Sequence, residues 1–219
     1  HALLDLYSDH TQRHGQAGLP SPIINSYNAP QQVMRQVWRE CSRLIKPHPN
    51  QMLHLCDALW AESNYDLKLL AARILGQLPA VPPEPVLERL QSWVLAGMDK
   101  RLLDGFLEHS IKRFQQEIPE QLLELISAWL SSSEQDFQQA GLRALLPMID
   151  DAGNPLLPSI FHLVTPYLRV APSRLRPDIL ALVTALAHCS PSETAYLLRQ
   201  NLSAPDNPDT AWIIRQVLD

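Results

Sequence analysis

Trp60, Trp93 and Trp129 stand 33 and 36 residues apart, and each is followed six or seven positions later by an aspartate, Asp66, Asp99 and Asp136. In the first and third of these units an arginine comes seven residues after the aspartate, Arg73 and Arg143. Recurrence at a period of about 35 residues leaves few folds open, because so short a unit cannot enclose a core of its own. Each unit must bury its apolar face against its neighbours, as stacked helical hairpins do. The tryptophan falls near the end of one helix, where an indole fills the wedge between hairpins. The aspartate falls where the next helix begins, where a side-chain oxygen can cap free backbone N–H groups.

The spacing of prolines supports helices throughout. The chain has 19 prolines against seven glycines, and they fall in clusters such as "KPHPN", "LPAVPPEP" and "VAPSRLRP" between apolar-periodic stretches. Proline is accepted in the first turn of a helix and breaks its interior, so these clusters punctuate helices. Val33, Val37, Cys41, Leu44 and Ile45 recur at three- and four-residue steps, and so do Leu102, Leu103, Phe106, Leu107, Ile111 and Phe114. Alternating β-branched runs are absent. The pattern predicts an all-α chain of about eleven or twelve helices, an α-solenoid in which HEAT-like antiparallel hairpins stack into a right-handed superhelix. Residues 1–219 are expected to form a single repeat domain, with 1–28 a looser N-terminal helix and loop.

Composition narrows the function classes. At 219 residues and 46% apolar, the chain has material for a substantial core. Its three cysteines, Cys41, Cys56 and Cys189, suit a reducing cytoplasm better than a disulfide framework. The first residue, His1, suggests a trimmed or tag-derived end. No apolar run is long enough for a membrane span. His10 and His14 have metal-capable spacing but no third ligand nearby, so no metal or other cofactor is expected. Gly-rich phosphate loops and nucleophile elbows are missing. A net charge of −5 gives no global field that recruits nucleic acid, so any affinity for DNA must come from a local patch. One such patch is visible on the stretch 30–46, where Arg35, Arg39, Arg43 and Lys46 follow at steps of four, four and three. Lys100 and Arg101 form a smaller basic spot. Residues 84–151, by contrast, carry twelve acids and six bases.

The landmarks also come in a recognisable order. "INSYNAPQQVMRQV" (24–37), "LCDALWAESNYDLKLLAARIL" (55–75), "MDKRLLDGFL" (98–107) and "AWLSSSEQDFQQAGLRALLPMI" (128–149) together resemble the HEAT-like-repeat DNA alkylation repair family, the AlkD-like alkylpurine DNA glycosylases. The similarity runs over roughly residues 24–200, and it lies in the order of the segments rather than in any one of them. It implies a groove that binds duplex DNA and an activity that excises cationic alkylated purines. A catalytic carboxylate would stand at Asp104, stabilising positive charge on the sugar, with two tryptophans holding the lesion by cation–π attraction. It further implies that the segment 128–149 supplies a DNA-contacting arginine, a place for which Arg143 is the candidate, and Arg73 is expected to add its charge to the same groove.

Several positions depart from that pattern. Lys100 stands one turn before Asp104, where the family has tryptophan. Gln138 and Gln139 replace a pair of arginines, and Thr184, Ala185, Leu186 and Ala187 replace Trp-Ala-Leu-Arg. Asp104 alone is left of the implied cleft. The expectation is therefore a divergent member that binds DNA weakly through Arg35, Arg39, Arg43, Arg73, Lys100, Arg101 and Arg143, with excision lost. The alternative is a scaffold that uses the concave face of the solenoid for a protein partner.

Overall fold

The computed structural model describes residues 26–27, 30–95, 97–149, 154–202 and 208–218. The expected N-terminal helix and loop over 1–28 lies outside them except at residues 26–27, and so does the His10/His14 pair. Among the described residues there are twelve α-helices, one 3-10 turn at Leu146–Met148 and no strand. None of these helices is long and apolar enough to cross a membrane.

The helices fall into two compact units. The first holds α1 (Gln31–Ile45), α2 (Pro49–Ala61), α3 (Tyr65–Leu75), α4 (Glu84–Trp93), α5 (Lys100–Ser110) and α6 (Phe114–Glu117). The second holds α7 (Pro119–Leu130), α8 (Gln135–Leu145), α9 (Leu157–Arg169), α10 (Arg176–Cys189), α11 (Pro191–Leu202) and α12 (Pro208–Leu218), together with the segment Val94–Gly97. Proline opens α2, α7, α9 and α10 within their first turns, where its missing N–H costs nothing.

In the first unit α2 and α3 form a hairpin, and α1, α3 and α5 lie side by side as a layer. The order within that layer can be traced by contacts. Tyr27, just before α1, meets Asp66 at the start of α3. Tyr65, also at the start of α3, donates to the Arg101 carbonyl near the start of α5. Gly76, which caps α3, lies against the backbone of His109 near the end of α5. The three helices therefore run in the same direction. The close approach at Gly76 is tight: a Cβ there would sit 2.1 Å from the His109 carbonyl oxygen. The second unit repeats the plan, with α7 and α8 paired as a hairpin and α8, α10 and α12 as its layer.

The three tryptophans are wedges, as their spacing predicts, with Trp60, Trp93 and Trp129 only 7%, 5% and 2% exposed. Trp60 and Trp93 stack with ring centroids 4.5 Å apart and planes 6° from parallel, and Phe106 tilts against both. Arg89 of α4 clamps Asp57 of α2 with two hydrogen bonds of 2.8 and 2.6 Å. One apolar position of α1 differs from the expected face. Leu44 is 47% exposed, and Ile45 next to it is the residue that turns into the core.

The aspartates divide between two roles. Asp99 is a helix cap, accepting from the backbone N–H groups of Arg101 and Leu102 at 2.9 and 3.3 Å. Asp66 and Asp136 are not caps. Asn64 caps α3, and Asp66 lies inside its first turn. Side chains on a helix lean toward its N-terminus, so a carboxylate at the second helical position projects beyond the helix start. There Asp66 takes the N–H of Tyr27 and Asp136 takes the N–H of Gly97, each 39 residues earlier. Asp209, at the second position of α12, takes the N–H of Ala171, 38 residues earlier. A repeated aspartate thus ties one repeat to the loop of the repeat before.

Candidate nucleic-acid interface

On α1 the apolar residues that pack inward or lie half-buried are Val33, Met34, Val37, Trp38, Cys41 and Ile45. Each four-residue step advances about 40° beyond a full turn, so Arg35, Arg39 and Arg43 drift only slowly around the helix, on the side away from that face. All three are exposed, as is Lys46 after the helix end. Arg43 has an exposed ion pair with Glu40, 3.2 Å away, of the kind worth little in water. The result is a row of guanidinium groups along one helix of the α1–α3–α5 layer.

Arg73 belongs to the same layer. It is exposed near the end of α3, and its guanidinium carbon lies 4.1 Å from the ring centroid of Trp38 on α1. Below it, between α3 and α5, the half-buried His109 has its imidazole pushed below the usual histidine range by burial, with Glu108 pulling it back up and Arg73 pushing it further down. Spacing alone does not mark Trp38 as part of this surface. The signal was there in the period, because Trp38 and Arg73 are 35 residues apart, one repeat.

Lys100, Arg101 and Asp104 are exposed at the other end of the layer, in the first turns of α5. The Tyr65 phenol stands beside them. Burial raises its pKa most, the Arg101 cation lowers it, and the carboxylates of Asp66, Asp99 and Asp104 raise it further. Asp104 therefore sits in a mixed-charge cluster with a tyrosine at hand. The aromatic residue nearest to it along α5, Phe106, is fully buried in the tryptophan cluster.

Arg143 is placed differently. It lies in the second unit on α8, and its Nε donates to Asp178 Oδ1 at 2.8 Å with both side chains about one-tenth exposed, 8% and 10%. Gln139 donates to the other oxygen of Asp178 at 2.6 Å, and Gln138 donates to the Ser132 carbonyl. The residues standing where the family has its arginine pair are thus engaged in joining α8 to α10 and to its own entry turn. Among the described residues no group of three histidine, cysteine or acidic side chains is arranged to hold a metal ion. Cys56 is buried, with its thiol raised to about 12 chiefly by burial, which leaves it unreactive.

An all-α helical-repeat fold with an exposed basic row on its first described helix defines the class. The chain belongs to the DNA alkylation repair enzyme family, whose family model matches residues 9–176. Two solved structures share the fold: AlkD2 from Streptococcus mutans and smu.31 from Streptococcus mutans UA159. Each is 11% identical with a TM-score of 0.61, covering 85% of this chain and 96% of the other. No curated protein matches it by sequence.

Proposed function

We propose that this chain binds duplex DNA through the exposed basic row of its first unit, weakly at physiological salt, and does not excise alkylated bases. The observation that carries the reading is the row itself: Arg35, Arg39 and Arg43, exposed on one side of α1 in a chain of a DNA repair family. Arg73, Lys100 and Arg101 extend it across α3 and α5. Neutralising phosphates releases condensed counterions, so a surface of this kind binds without regard to base sequence and loses affinity steeply as salt rises. Arg143 has a different task in this reading, because its charge is spent inside the second unit on Asp178.

Excision needs more than a carboxylate. Asp104 occupies the position that the family resemblance assigns to the catalytic acid, but Lys100 precedes it by one turn. An ammonium there repels a cationic nucleotide, and it stands where the resemblance puts the indole that would supply cation–π attraction. Loss of both raises the barrier by several kcal/mol, about a thousandfold or more in rate.

The binding reading is tested by fluorescence anisotropy with a labelled duplex at low salt. Wild-type protein is expected to bind, and Arg35→Glu, Arg39→Glu and Arg43→Glu together are expected to abolish binding. Binding that survives the triple reversal contradicts the proposed surface. If wild-type protein shows none even at low ionic strength, the protein-scaffold reading takes its place.

A further inference from the structure

Most arginines with described contacts spend their N–H groups on acceptors within the chain: Arg89 on Asp57, Arg143 on Asp178, Arg174 on Asp136. Arg176 is instructive, because it lies 5.0 Å from the Trp212 ring and also gives its N–H groups to Asp209 and the Ala171 carbonyl. Arg73 has the stack without the acceptors. Its guanidinium lies over Trp38 at 4.1 Å, it is exposed, and among the described residues it donates no hydrogen bond.

We infer that Trp38 is a positioning residue, holding Arg73 flat as an open two-pronged donor for one backbone phosphate of duplex DNA. The inference rests on the duplex-binding reading above. An unconstrained arginine loses much rotamer freedom when it grips an anion, and stacking on an indole removes that freedom beforehand. A guanidinium that lies parallel to an indole has one face covered and its N–H edge open, and such an edge matches two phosphate oxygens by parallel N–H donation. Trp38 is next to Arg39 and three residues from Arg35, so a phosphate held by Arg73 lies against the basic row rather than apart from it. Arg35 and Arg39 then act as point charges that follow the strand, and Arg73 fixes its position.

The test compares duplex affinity and its salt dependence for wild-type protein, Arg73→Gln, Arg73→Lys, Trp38→Leu and Trp38→Phe, with thermal melts confirming that each is folded. Arg73→Gln and Trp38→Leu are expected to lose about tenfold in affinity and to make the slope of log K against log salt shallower by about one unit. Arg73→Lys keeps the charge, loses the fork, and is expected to weaken binding several-fold. Trp38→Phe keeps a π face and restores binding. A purely structural role for Trp38 lowers the melting temperature and leaves the slope of the folded protein unchanged. If wild-type protein binds and the triple reversal on α1 abolishes it, yet Trp38→Leu and Arg73→Lys bind like wild type with unchanged slopes, the inference is wrong and the duplex reading stands. If wild-type protein does not bind at all, both fall together.

Discussion

At the scale of single residues, the repeated arginine has two fates, and burial decides between them. Arg73 ends in solvent against an indole, and Arg143 ends in the second unit against Asp178. A buried pair of this kind contributes little net stability while intact, because desolvation offsets the attraction, but losing one partner leaves a charge with nothing to compensate it. Asp178→Ala removes the acceptor for both Arg143 and Gln139, and is expected to destabilise the protein by about 3–5 kcal/mol, measured by urea denaturation. A loss below about 1 kcal/mol would mean that Arg143 is solvated rather than confined. The two arginines look equivalent in the sequence, each seven residues after its aspartate. Their difference depends on Trp38 and Asp178, each 35 residues away along the chain, which local spacing cannot reveal.

At the scale of elements, helices and wedges were legible and their junctions were not. Proline clusters and apolar periodicity marked the helices, and the 33- and 36-residue steps marked three buried indoles. The aspartates were harder, since a carboxylate one position before a helix and one position inside it look alike in sequence. Only the first caps its own helix, as Asp99 does, and the others reach back to Tyr27 and Gly97. The junction of α3 with α5 was equally hidden. Gly76 is there because backbone meets backbone: the site of its Cβ lies 2.1 Å from the His109 carbonyl oxygen and 3.1 Å from Ser110 Cα. No flexible side chain can yield. Gly76→Ala is expected to cost about 3 kcal/mol as the helices are forced apart, read as a lower urea midpoint. An unchanged midpoint would show that the junction has slack that these contacts do not suggest.

At the scale of the whole molecule, a net charge of −5 and an exposed row of arginines coexist because charge is segregated by helix. Exposed acids such as Glu84 and Glu88 stand on α4, whereas α1 carries the row. The family was legible from the order of four segments, and the basic row from a four-residue spacing. What the remaining carboxylate does was not, since an aspartate in a helical sequence has the same appearance in a spent cleft as in a working one. On the proposed reading Asp104 has no catalytic task, because Lys100 repels the cation that an indole would have held. The most direct test is release of 7-methylguanine and 3-methyladenine from methylated duplex with protein in excess, comparing wild type with Asp104→Asn. Release is predicted to stay at the level of spontaneous depurination for both proteins. Release well above that level by the wild type, and lost in Asp104→Asn, would contradict the account and make this chain a glycosylase.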